Sequence, residues 1–311
     1  MATEIRLIDP VLTSLAQEYR NSGFVADKIL PVVSVNQRKG KIPVFGKQAF
    51  IHRDTVRAVR ADSNRIPPEE LTYLEFELLE RDVEVSLDYI EEEEYSNFFQ
   101  IEQQATNELL DILLLGREKE VADFLQNPNN YSSDMKMEIT AAIAFDDYTK
   151  SFDPIQKIME AVAAVRKKIS RYPNVMIIGE PTYRALSFHP KVLDKIKYVG
   201  LGKVTLNYLS ELLEIKNIYV GMGVYTPNDI DFTDIWGDNI VLAYVEEQDK
   251  GKTTRMGASF GYILQKSGYP EIDVYYENGG KIKVIRATDA YTFLLTTPQA
   301  GFLIYNTNHI S

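Results

Sequence analysis

The chain has 311 residues, 45% of them hydrophobic, with 45 acidic against 34 basic side chains and a formal net charge of −11. A chain of this length and apolar content buries a large core, in two or three domains or in one with large extensions, which excludes global disorder. The negative balance excludes a nucleic-acid coat of the basic kind, and the absence of cysteine excludes a disulfide framework and thiolate chemistry.

Residues 1–20 carry Glu4, Arg6, Asp9 and Glu18 without an apolar run and do not read as a signal peptide. No window of 18 consecutive apolar residues marks a membrane span. The aromatic residues are 19 Tyr and 14 Phe against one Trp, Trp236. That skew fits either a tyrosine-rich core or extensive contact surfaces that are partly apolar and partly wet.

Residues 1–39 read as an arm. Pro10 precedes a short helix from Val11 to Tyr19, and Phe24, Val25, Ile29, Leu30, Val32, Val33 and Val35, broken by Pro31, read as extended. With little core of its own, this segment has to lie on something else. Residues 40–86 read as a long hairpin. Ile42, Val44 and Phe45 start the outgoing strand, and Ile66-Pro67-Pro68 breaks the middle. The return from Leu71 to Leu87 alternates apolar and polar residues at period two. Charge is polarised along it. The outgoing side carries Lys47, Arg53, Arg57, Arg60 and Arg65, and the return carries Glu69, Glu70, Glu75, Glu77, Glu80, Asp82, Glu84 and Asp88. Two readings stay open: a solvated hairpin whose charges face water, or a projecting arm whose faces meet complementary charges on neighbouring subunits.

Residues 91–126 hold the longest predicted helix. Glu91 to Glu94 lead into it, Ser96 is a plausible N-cap, and Asn127-Pro128 ends it. About 30 residues at 1.5 Å each make a rod of roughly 45 Å. Phe98, Ile101, Ala105, Leu109, Ile112 and Leu113 form one apolar side, followed by Val121, Phe124 and Leu125. Leu110, Leu114 and Leu115 spill over, so the helix needs partners on more than one face.

After a polar loop and a short strand near residues 135–140, Asp153-Pro154 opens a second helix with the stripe Ile155, Ile158, Val162, Val165 and Ile169. A buried strand at 174–179, helices from Pro181 and over 206–213, and strands at 218–221 and 240–245 make a mixed sheet with helices against it, an α+β core. Residues 260–265, 272–277 and 281–287 read as strands, with Asn278-Gly279-Gly280 as a turn, and the tail offers one or two more strands around Pro298.

Catalytic and metal motifs fail on inspection. Gly257-Ala258-Ser259-Phe260-Gly261 matches G-x-S-x-G, but a strand follows Ser259 where a helix is needed, and the histidine after it is His309 near the end. Lys250-Gly251-Lys252-Thr253 lacks the upstream glycine of a phosphate loop, because residue 246 is Glu. His52, His189 and His309 are scattered without ligand spacing, and His189-Pro190 reads as a helix-end turn. Glu91 to Glu94 lack the alternate spacing of a calcium loop. No enzyme, cofactor or metal is expected.

Several segments recur in a known order: Gly40-Lys41-Ile42-Pro43-Val44-Phe45, Leu113-Leu114-Leu115-Gly116-Arg117-Glu118, Asp153-Pro154-Ile155, Pro173-Asn174-Val175-Met176-Ile177-Ile178-Gly179, the stretch His189 to Tyr198, Trp236-Gly237, Asp289, and Ala300-Gly301-Phe302. In this order and spacing the chain resembles tailed-bacteriophage major capsid proteins of the HK97-like fold, over nearly its whole length. The resemblance implies an N-terminal arm (1–39), an extended loop (40–86), a peripheral domain with a spine helix (87–150), an axial domain (151–249), peripheral strands (250–290) and an axial return (291–311). It implies self-assembly through hexamers and pentamers into an icosahedral shell enclosing double-stranded DNA, in a virion assembled in the host cytoplasm. The implied partners are a separate scaffolding protein, since the chain starts almost at the arm, a portal, and a decoration protein; no membrane and no Lys–Asn cross-link are expected. Arg53, Arg57, Arg60, Arg65, Glu75, Glu77 and Glu80 are the expected inter-subunit contacts. The alternative is an encapsulin-like nanocompartment shell.

Overall fold

The computed structural model describes residues 8–44, 72–90, 98–148, 152–196, 204–228, 230–246 and 259–308. In the arm, α1 (Pro10–Glu18) is capped by Asp9, whose carboxylate accepts from the Val11 and Leu12 N–H groups at 2.9 Å. Residues 24–35 are not simply extended. They contain a one-turn helix, α2 (Ala26–Ile29), before β1 (Val32–Val35). Val25 at its N-cap offers no side-chain bond; the capping oxygens come from Glu118, over 90 residues away.

β2 (Lys39–Val44) and β3 (Thr72–Glu77) pair antiparallel, Lys39 opposite Glu77 and Lys41 opposite Glu75. The returning half of the expected 40–86 hairpin divides at Leu78. β4 (Leu79–Asp88) leaves β2 and pairs instead with β13 (Ile282–Leu295). The cause is a slip in alternation. Leu74, Phe76 and Leu78 turn inward before the break, and Arg81, Val83, Val85 and Leu87 after it. A one-residue slip exchanges the two faces of a strand. Leu78 anchors the break, buried with Val33, Ile42, Tyr262 and Leu264.

The spine, α3 (Phe98–Gln126), is 29 residues long, roughly 43 Å at 1.5 Å per residue. Its first half lays Ala105, Leu109, Leu110 and Leu113 against Leu12 and Ala16 of α1 and against Ile272, Ile285 and Ala287. Its second half sends Val121, Ala122 and Leu125 into a different core. The buried face therefore rotates around the helix between the two. Ile112, expected on the apolar side, lies on the face this rotation vacates and is 54% exposed, whereas Leu113 is 8% exposed.

The second core surrounds a five-stranded mixed sheet in the order β5 (Lys136–Glu138), β14 (Gly301–Tyr305), β10 (Ile240–Ala243), β6 (Val175–Gly179), β7 (Asn217–Gly221). Every residue of β6 and β10 is buried. Helices α4 (Pro154–Ile169), α5 (Glu180–Phe188), α6 (Pro190–Ile196) and α7 (Leu206–Leu213) pack around it. Asp153 caps α4 through the Ile155 N–H at 3.1 Å, and His189 sits at the turn between α5 and α6. A short ribbon, β8 (Val224–Tyr225) with β9 (Thr233–Asp234), stands apart.

The other sheet centres on the 14-residue β13, flanked along its first ten residues by β4. On its other side it pairs first with β12 (Glu271–Glu277) and then with β11 (Gly261–Lys266), which in turn carries β1 in parallel. β13 runs on to Leu295, so the expected division at residue 290 falls inside a strand. Leu113→Ala should lower the stability of the unassembled subunit by about 2–4 kcal/mol through lost burial and a residual cavity. Ile112→Ala should change it by less than about 0.5 kcal/mol. Denaturant unfolding of the two variants checks the assignment of the buried face.

Candidate assembly interface

Three side chains within four residues of α3 hold the molecule's parts in place. Arg117 pairs with Asp289 of β13, both side chains nearly buried. Asp289 also accepts from Gln265 Nε2 at 2.7 Å and from the Ala290 N–H at 2.8 Å. Glu120 accepts both arms of the Arg81 fork, at 3.0 and 2.7 Å, and the Tyr291 hydroxyl at 3.1 Å. The guanidinium carbons of Arg81 and Arg117 lie 3.9 and 4.7 Å from the Tyr291 ring centroid. Burial raises the Tyr291 phenol above its ordinary range.

Between these, the buried Glu118 carboxylate accepts from the Val25 N–H at 2.9 Å, the Ala26 N–H at 2.8 Å and Trp236 Nε1 at 2.6 Å. Burial raises its pKa, opposed by those three donors, which favour the anion. Trp236 in turn lies on Gly221, where an added Cβ would stand 2.3 Å from the indole ring. This junction of arm, spine and both sheets was missed by sequence reasoning. Its residues are nevertheless among those that carried the family resemblance: Arg117, Glu118, Trp236 and Asp289.

Of the expected contact residues, Arg53, Arg57, Arg60 and Arg65 lie outside the described residues. Glu75 and Glu77 face Lys41 and Lys39 across the hairpin at 2.7 Å, and Glu80 pairs with Arg38. Thus part of the charge polarisation read from the sequence is matched within the hairpin root. Lys41 lowers the Glu75 pKa, chiefly through their hydrogen bond. These pairs stand in solvent, where screening makes them weak. They still leave Glu75 76% exposed and able to meet another chain.

The rejected chemical motifs divide similarly. Ser259 is fully buried ahead of β11, with its carbonyl bound by Thr296 and its hydroxyl receiving the Glu246 N–H at 3.4 Å. The glutamates 91–94, Ser96, Lys47, His52, residues 250–253 and His309 lie outside the described residues. His189 is buried against Tyr148, ring centroids 5.9 Å apart. Its Nδ1 accepts the Lys191 N–H at 3.2 Å, which leaves the proton on Nε2. Burial lowers its pKa, Asp153 acts in the opposite sense, and Lys191 adds to the lowering. Among the described residues, no group of carboxylates and histidines could hold a metal, and no helix is long and apolar enough to cross a membrane.

Large apolar side chains stand in solvent around the β10 sheet: Tyr172, Phe188 and Met222 on its rim, and Ile230 and Phe232 on the β8–β9 ribbon, where exposure reaches 78%. Phe188 and Met222 line one groove together, and apolar side chains gathered in this way mark association surfaces.

No family model matches the chain. The major capsid protein of Burkholderia phage BcepMu is 42% identical over 307 residues, covering 98% of both chains. That of Pseudomonas phage JBD67 is 26% identical over 317 residues, covering 96% of both. A phage-related protein from Bordetella bronchiseptica RB50, known from a crystal structure, matches with a TM-score of 0.82 at 27% identity, over 98% of this chain and 99% of that one. The SrpI encapsulin of Synechococcus elongatus PCC 7942 matches with a TM-score of 0.54 at 14% identity over 99% of this chain and 98% of that one, and shares the fold alone. The architecture is the HK97-like α+β fold of shell-forming capsid proteins. The chain belongs to the phage major capsid proteins, and its role is that of a shell subunit rather than a catalyst.

Glu118→Gln keeps the volume but sets an amide N–H₂ against backbone or indole donors. It should cost about 2 kcal/mol of subunit stability, read by thermal unfolding. For His189 the folded pKa lies below the unfolded one. Its contribution is present above the ordinary histidine value of about 6.5 and is lost as pH falls through it. The melting temperature of the subunit should therefore fall between pH 7 and 5, and His189→Gln should flatten that slope.

Proposed function

We propose that the chain assembles through hexamers and pentamers into an icosahedral shell enclosing double-stranded DNA, as a component of a virion formed in the host cytoplasm. The observation that carries this reading is 42% identity along 98% of the chain to a phage major capsid protein. A scaffolding protein, a portal and a decoration protein are the partners such a shell would use. The net charge of −11 suits a wall that encloses DNA without adhering to it. Residues 1–39 are taken as the N-terminal arm and 40–86 as the extended loop reaching a neighbour. The α3 spine with the β13 sheet is taken as the peripheral domain, and the β10 sheet with its helices as the axial domain.

In this reading Arg53, Arg57, Arg60 and Arg65, with Glu75, Glu77 and Glu80, contact adjacent subunits, the glutamates sharing themselves between Arg38, Lys39, Lys41 and the neighbour. Electron microscopy of the chain expressed with the scaffold gene of its own phage should show closed shells. A chain that stays monomeric with every assembly partner would overturn the proposal. Glu75→Lys combined with Glu77→Lys should leave the circular dichroism spectrum and melting temperature of the subunit nearly unchanged while lowering shell yield. Unchanged yield would remove the glutamates from the contact set.

A further inference from the structure

The β10 sheet presents two unlike faces at opposite ends of β6. At the end where β6 begins, α4 stops at Ser170, whose left-handed backbone (φ 55°) turns the chain toward the strand. Arg166, Lys167, Arg171 and Tyr172 stand exposed there. The Arg166 guanidinium lies 5.6 Å from the Tyr172 ring centroid, and Arg171 lies 5.1 Å from that of Tyr244 and donates to its hydroxyl at 2.6 Å. Glu246 stands 3.9 Å from Arg171, and Lys168 of the same turn is paired with Asp134, so the basic character of this end is carried by Arg166, Lys167 and Arg171 beside the two aromatic rings.

At the end where β6 finishes, a groove of about 660 Å³ opens between residues 146–148, α5 and the start of β8. Asp146, Glu180 and Asp234 line it, with Tyr148, Phe188 and Met222 exposed beside them. Arg184 also lines the groove but is bound to Glu180 at 3.0 Å. This face is acidic and apolar.

The five buried residues of β6 hold the faces apart by roughly 17 Å at 3.3 Å per residue, so the two cannot meet within one chain. Contact of either face with its own copy would oppose like charges. Contact of one with the other pairs opposite charges around aromatic and methionine side chains, the composition of an interface core. We propose that the basic aromatic face of one subunit docks in the acidic groove of the next, a head-to-tail contact that closes copies of this chain into rings. The inference rests on the shell reading above and names the surfaces that build its rings.

The absence of native cysteine makes the contact measurable in assembled particles. Lys167→Cys with Met222→Cys in one chain, treated with a short bismaleimide, should give a denaturing-gel ladder that ends at the ring size, and each single variant should give none. As a second measurement, Lys167→Glu with Arg171→Glu should lower shell yield about tenfold, as should Asp146→Lys with Asp234→Lys, and combining all four should restore it. Absence of the ladder from intact particles would overturn the proposal. So would full yield from both reversed faces, or no recovery from a folded fourfold variant. Failure of the unmodified chain to form particles would instead count against the shell reading itself.

Discussion

A single buried carboxylate fixes how the parts of this subunit sit relative to one another. Glu118 leaves water at a cost that only hydrogen bonding offsets, and its three donors come from two segments far away in the chain, the arm at Val25 and Ala26 and the indole of Trp236. Each donor would be orphaned without it. Because Arg117 and Glu120 tie the same turn of α3 to β13 and β4, the spine is clamped on several sides within four residues. Its apolar face can then rotate from one core to the next without letting the two sheets drift.

That rigidity is what a shell subunit needs, because its arm and hairpin have little core of their own. α1 is stabilised by lying on β12 and α3, and among the described residues β2 and β3 are anchored through Ile42, Phe76 and the adjoining Leu78. Segments of this kind gain burial when another subunit covers them. The exposed rim of the β10 sheet supplies the complementary requirement, an apolar and charged surface held by strands that are themselves wholly buried.

Much of the fold was legible locally. Asp153-Pro154 marked the start of α4, the run Val175-Met176-Ile177-Ile178 marked β6, and residues 206–213 form the expected helix, since caps and periodicity act over a few residues. What stayed hidden depends on distant partners. α2 has no cap of its own until Glu118 reaches it, and Ile112 looks apolar-facing until the second core turns the buried arc away. The division of β3 from β4 was present as a parity change between Leu78 and Arg81, but only pairing with β13 gives that change a meaning. The junction residues themselves were visible only as parts of a family resemblance. Their physical reason is that Arg117 meets Asp289 and Glu118 meets Trp236 across more than 100 residues.

Native-state hydrogen exchange on the unassembled subunit tests the central role of the Glu118 junction most directly, because it reads the opening free energy of each segment separately. If the carboxylate couples arm, spine and sheet, the N–H groups of Val25 and Ala26 will exchange with the same free energy as those of Ile177 and Leu242 in the buried strands. Exchange at Val25 and Ala26 orders of magnitude faster than in those strands would show an arm that opens on its own, and would contradict the account.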